Sequence, residues 1–199
     1  VNDLTDDADG TTGWTVNAAS TVEVDSTVGR RALNMPAITH ASYCAPFAVG
    51  PNDIIEVDVS FRAITASTNA RLRLGIDGNV QLQYATWDTT AKAWGAFGGS
   101  VTYRDCGITA SPGSYTAVKS YIVGQNIQPS EIPAPVNAVE CVRVVSSPTV
   151  GFGLVVIGTA SRVYAFAPSA RKVGSGKIVA QQIVTPNLAA ISAKLGEIH

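Results

Sequence analysis

The sequence predicts an all-β fold: an antiparallel β-sandwich of jelly-roll type, followed by a short stem made of an extended segment and a short helix. Three observations predict it. Apolar residues recur at every second position over much of the chain, clusters of Gly, Pro, Asn and Asp separate these runs, and no long segment of 3.6-residue period precedes residue 180. Hydrophobic residues make up 46% and charged residues 15% of 199 positions, with a mean hydropathy of +0.18. Such a chain can bury one sizeable core and is too apolar for disorder, yet no apolar run approaches the ~20 residues of a membrane helix. A net charge of −1, with 14 basic residues scattered along the chain, leaves no electrostatic footprint for nucleic acid. Val1 follows no Met or signal-like segment, which fits a fragment of a larger protein.

The chain opens on an acidic, turn-rich run in which Asp3, Asp6, Asp7 and Asp9 fall within seven residues. Two readings are open: a solvated turn, or a structural calcium site near Asp6, Asp7 and Asp9, although the spacing completes no EF-hand loop. Residues 21–24 then alternate. Ile55, Val57, Val59 and Phe61 lie opposite Glu56, Asp58, Ser60 and Arg62, the pattern of a half-buried antiparallel strand. Residues 71–76 and 80–84 flank Asp77-Gly78-Asn79 and read as a hairpin. Trp87 to Trp94 reads as a second hairpin tip bracketed by two indoles. Runs at 101–104, 115–123, 140–145, 153–157 and 162–166 complete the strands.

Between Gln125 and Ala138, Pro129, Pro133 and Pro135 exclude a central strand and mark a long surface connection. The resulting organisation is a sandwich over residues 1–170, a linker over 171–177 and a stem over 178–199. Gly174-Ser175-Gly176-Lys177 lacks the first Gly and the strand-to-helix switch of a phosphate loop and reads as flexible linker. Cys44, Cys106 and Cys141 are widely spaced, form no CxxC and sit in apolar runs, so buried reduced thiols are expected, with a single disulfide as the alternative.

Catalytic constellations are close to absent. Apart from His199, His40 is the sole histidine, and there is no Gly-x-Ser-x-Gly elbow. A carboxylate pair for glycoside hydrolysis stays open, since such pairs are distant in sequence, but no acidic residue carries an apolar-pocket signature. The expectation is therefore no enzyme and no cofactor. Binding remains. Trp14, Trp87, Trp94, Tyr43, Tyr84 and Tyr103 offer flat apolar faces for sugar rings, and Asp88, Arg104 and Asp105 offer polar handles. Of these, Trp87, Trp94, Asp88, Tyr103 and Arg104 are the candidate ligand residues. The six residues between the two indoles include no large apolar side chain, so both are expected to be exposed.

After Pro186, apolar residues fall at Leu188, Ile191, Leu195 and Ile198, a 3-4-3 spacing that continues a seam from Val184. A helix of about a dozen residues is marginal alone, so this seam needs a partner, and copies of itself are the simplest. Pro186 disfavours helix in the residue before it, and residues 178–185 are expected to be an extended strand.

The run Asn187-Leu188-Ala189-Ala190-Ile191-Ser192-Ala193-Lys194-Leu195-Gly196-Glu197-Ile198, preceded by Lys177 to Val184, resembles the stem of tip-attachment and central tail-fibre (host-specificity) proteins of lambda-like tailed phages. His199 stands where that family usually carries Thr, as an authentic difference or the start of a purification tag. The resemblance covers about the last two dozen residues and implies a homotrimeric piece of a virion tail, assembled in the host cytoplasm beside other tail proteins and aimed at a host cell-surface glycan or receptor. Separately, Gly13-Trp14-Thr15 after the acidic turn, and the closing strands through Gly151-Phe152-Gly153 to Lys172, resemble galactose-binding-like carbohydrate modules. Three roles compete: receptor binding on a tail, a structural spacer of a tail shaft, or the binding module of a secreted polysaccharide enzyme.

Overall fold

A computed structural model describes residues 14–16, 18–36, 40–75, 81–146, 149–157 and 160–173. The described strands are β1 (Trp14–Thr15), β2 (Thr21–Asp25), β3 (Arg30–Met35), β4 (His40–Cys44), β5 (Phe47–Ala48), β6 (Ile54–Ala63), β7 (Thr68–Leu74), β8 (Leu82–Asp88), β9 (Ala93–Trp94), β10 (Gly98–Val101), β11 (Arg104–Ala110), β12 (Thr116–Val123), β13 (Glu140–Val144), β14 (Thr149–Val150), β15 (Phe152–Ile157) and β16 (Val163–Val173). One 3-10 turn spans Pro129–Glu131. The strands form a β-sandwich, as the alternation requires. One sheet runs β1-β4-β15-β7-β11, the larger runs β10-β8-β13-β12-β6-β16-β3-β2 with β9 paired to β8, and β14 and β5 form a small ribbon.

The core lies between the two sheets. Ile55, Val57, Val59 and Phe61 of β6 face Leu72 and Leu74 of β7 and Phe152, Leu154 and Val156 of β15 within one buried cluster. Period two therefore places these apolar residues of β6, β7 and β15 inward, and burial of such side chains contributes about 1.5–3 kcal/mol each. The opposite face of β6 is less open than its polar composition implies. Glu56 and Arg62 are 6% and 4% exposed. Glu56 is bracketed by Lys119 Nζ at 3.2 Å and Arg171 Nη2 at 2.5 Å. Arg62 holds Asp25 through Nε at 2.7 Å and Nη2 at 2.6 Å, and Tyr115 donates to the same carboxylate at 3.0 Å. Paired charges can be buried where single ones cannot.

Three features depart from the expected organisation. Residues 71–76 and 80–84 do not form a hairpin: β7 lies between β15 and β11 in one sheet, and β8 lies between β10 and β13 in the other. Asp77-Gly78-Asn79 lies outside the described residues. The chain leaves the first sheet at Gly75, whose φ is +88° and where a Cβ would meet Leu82 Cδ1 at 2.3 Å. Next, β12 and β13 pair in parallel, through Ile122↔Val142 and Val123↔Arg143, so the sandwich is not wholly antiparallel. Parallel neighbours need a crossover of a dozen or more residues, and the proline-bearing segment after Val123 supplies that length. Finally, Arg171, Lys172 and Val173 are strand and not linker: they pair with Glu56, Ile55 and Ile54 of β6. The stem, its seam (Val184, Leu188, Ile191, Leu195, Ile198) and the acidic run with Asp6, Asp7 and Asp9 lie outside the described residues.

Candidate ligand-binding groove

The β8–β9 hairpin forms as its sequence requires. Trp87 pairs with Trp94 and Asp88 with Ala93. Asp88 Oδ1 accepts from the Thr90 and Ala91 amides at 2.7 and 2.9 Å, the self-capping expected of Asp at a turn. Those two amides, Ala91 first, hold the Asp88 carboxyl below its usual range. Lys92 closes the turn with φ 54°. Asp88 thus has a folding role at the tip.

The two indoles differ, and this corrects the expectation that both are exposed. Trp94 is 7% exposed, and its Nε1 donates to Pro133 O at 2.9 Å. It belongs to a second apolar cluster with Ile54, Ala85, Tyr121, Ile127, Ile132 and Cys141, on the outer side of the larger sheet. The proline-bearing connection is therefore a cover, pinned at Pro133 by Trp94 and at Ala134 by the Tyr121 hydroxyl at 3.1 Å. Its own turn is capped where Gln128 N donates to Glu131 Oε2 at 2.7 Å. Ile127 and Ile132 were the available signal: two large apolar residues in a connection thick with prolines need something to lie against.

Trp87 is half-buried and meets Trp94 edge-on, with centroids 5.2 Å apart and planes at 68°. Between the hairpin and the cover runs an open groove of about 610 Å³, with Trp87, Lys92, Trp94, Gln128, Ser130 and Ile132 in its walls. Lys92, Gln128 and Ser130 are exposed, so an amine, an amide and a hydroxyl stand beside an indole of fixed orientation.

Tyr103 and Arg104 do not line it. Tyr103, 46% exposed, lies over the Arg73 guanidinium at 4.0 Å from ring centroid to Cζ. Arg104 lies over Tyr84 at 3.3 Å and stands 3.7 Å from Glu140 Oε2. Among the described residues neither Arg104 Nε nor Glu140 Oε2 has a hydrogen-bond partner, and burial raises the Glu140 carboxyl. Of the five candidates the structure thus gathers Trp87, Asp88 and Trp94 and places the other two elsewhere. Sequence reading missed Lys92, Gln128 and Ser130 as wall residues, because the last two come from a distant connection.

The three cysteines are free and buried, as their apolar surroundings require. Burial pushes the Cys44 and Cys106 thiols up to about 11 and raises Cys141 further, which keeps them protonated and unreactive. Among the described residues no group of three His, Cys, Asp or Glu side chains could hold a metal ion, and no helix is long and apolar enough to cross a membrane.

No protein-family model matches the sequence, and no curated protein is similar to it. Similar solved structures do exist. The CBM22-1 xylan-binding domain of Xyn10C from Paenibacillus barcinonensis is 10% identical with a TM-score of 0.44, over 87% of this chain and 93% of that one. The CBM22-1–CBM22-2 tandem of the same protein is 11% identical with a TM-score of 0.49, over 92% of this chain and 47% of the tandem. The family 11 carbohydrate-binding module of Clostridium thermocellum, solved with a β-1,3-1,4-mixed-linked tetrasaccharide, is 10% identical with a TM-score of 0.38, over 85% and 94%. Likeness at this level does not fix function, which has to come from the chemistry of the site.

Proposed function

We propose that this sandwich is a non-catalytic saccharide-binding domain whose ligand lies in the groove between the β8–β9 hairpin and the 125–138 cover. The observation that carries the reading is Trp87: half-exposed, held edge-on by a buried indole, and flanked by Lys92, Gln128 and Ser130 across an open groove. A sugar ring has apolar C–H faces and a polar rim, and an indole face beside hydrogen-bonding groups complements both. The stem resemblance supports a setting in which residues 178–199 gather the domain into a trimer on a phage tail, where it engages a host cell-surface glycan.

A glycan array read with the 199-residue chain tests the binding. Trp87→Ala should weaken any saccharide hit at least tenfold while the protein stays folded; an array without hits, or hits indifferent to Trp87→Ala, would overturn the groove. Sedimentation tests the setting. Loss of residues 178–199 should convert a trimer to monomers, and equal particle masses with and without the stem would refute it. A monomer that selects plant polysaccharides would instead be an accessory module of a polysaccharide-degrading enzyme.

A further inference from the structure

A second concavity, of about 390 Å³, lies along β7 and β11 on the outer face of the five-stranded sheet and includes Asn69, Arg71, Asp105, Gly107 and Thr109. Its charge is unbalanced, since two guanidiniums share one carboxylate. Arg73 takes both oxygens of Asp105, with Nε at 2.8 Å and Nη2 at 2.9 Å. Arg71 reaches the same carboxylate through a single Nη1 contact at 3.3 Å, and its side chain is 37% exposed. Among the described residues Arg71 has no other partner. One positive charge and most of a planar donor fork therefore face the groove.

The register explains why the groove is open there. Gly107 pairs directly with Arg71, and Thr109 with Asn69. The missing side chain at Gly107 leaves a shallow floor beside the guanidinium, and the exposed Thr109 hydroxyl and Asn69 amide form the next step along the strands. Beyond Asp105, Tyr103 lies over Arg73, 4.0 Å from ring centroid to Cζ, and offers a partly exposed ring just outside the concavity. A bidentate donor fork, neutral hydrogen-bonding groups at strand spacing and one aromatic ring match a sugar that carries a carboxylate.

We infer that this face is a second ligand site, selective for carboxylate-bearing saccharides such as uronic-acid oligomers, with Arg71 as the anion-binding residue. It is separate from the Trp87 groove and stands whether or not that groove binds sugar.

Titration calorimetry of the 199-residue chain with tetragalacturonate and with neutral xylotetraose, at low and at physiological salt, tests it. Tetragalacturonate should bind more tightly than xylotetraose, and its affinity should fall with salt, because an exposed charge pair is screened. Arg71→Gln should weaken it at least tenfold. Gly107→Val should do the same by filling the floor: a Cβ at that position meets Arg71 Cγ at an ordinary 3.7 Å, so this strand position accepts a β-branched residue. Trp87→Ala should leave tetragalacturonate binding intact. The inference is overturned if the acidic and neutral oligomers bind alike, if tetragalacturonate does not bind, or if Trp87→Ala abolishes its binding while Arg71→Gln does not.

Discussion

Truncating Trp94 to Ala removes the post on which the 125–138 cover rests. The side chain is 7% exposed, so the change deletes almost a whole buried indole, its hydrogen bond to Pro133 O at 2.9 Å and its edge contact with Trp87 at 5.2 Å. A buried Trp covers about 150–250 Å², worth about 4–6 kcal/mol at 25 cal/mol per Å². Measured truncations of buried Phe or Trp cost about 3–5 kcal/mol, because the cavity partly relaxes. The Pro133 carbonyl belongs to an exposed residue and can turn to water, so the lost hydrogen bond adds no more than about 1 kcal/mol. For a domain of this size about 3–5 kcal/mol lowers Tm by about 10 °C. Thermal unfolding followed by circular dichroism measures it, and limited proteolysis should show cleavage within 125–138 at temperatures where the parent resists. The Trp87→Ala/Trp94→Ala cycle should give a coupling of about 0.5–1.5 kcal/mol for the edge-to-face pair. A Tm within about 2 °C of the parent, with an uncut cover, would mean that the second cluster holds nothing and that the groove lacks a rigid wall.

Two further changes test the frame. Burial pushes the Asp25 carboxyl up, but hydrogen bonds from Arg62, the Thr27 amide and Tyr115, together with the Arg62 charge, hold it below its usual range. Its contribution is therefore complete above the unfolded value of about 3.9 and is lost as pH falls through the lower folded value. Asp25→Asn should cost about 3–5 kcal/mol at pH 7 by leaving Arg62 buried without a counter-charge, and should flatten the fall of Tm between pH 5 and 2 relative to the parent; parallel pH profiles would refute the linkage. Gly75→Ala places a Cβ 2.3 Å from Leu82 Cδ1 and 2.8 Å from Thr102 O at a positive φ. It should cost about 1–3 kcal/mol in urea unfolding, and a neutral result would show that the crossover between sheets is not constrained there.

The sandwich was legible because period two is a local signal. Ile55, Val57, Val59 and Phe61 point inward wherever β6 is placed. Strand order was not legible, because it depends on which distant strand meets which. The Asp77-Gly78-Asn79 turn looks like a hairpin in sequence, but Leu74 and Leu82 belong to different sheets of the same core. The parallel β12–β13 pair was hidden in a connection judged by its prolines and not by its length. At the candidate site the tip itself was readable from Asp88 and its neighbours. The burial of Trp94 was not, since it depends on Ile132 and Pro133 arriving from about forty residues away.

The last described strand does not close an edge. β16 lies inside the larger sheet, paired with β6 along most of its length and with β3 at its start. Ladder bonds run perpendicular to antiparallel strands, so tension applied lengthwise beyond Val173 shears them together and does not peel them one at a time. Whatever follows Val173 is therefore tethered through an interior member of the sandwich. Resistance to such a load is governed by the unfolding rate and not by equilibrium stability, and the ion pairs of Glu56 with Arg171 and of Asp53 with Lys172 clamp the strand at its loaded end.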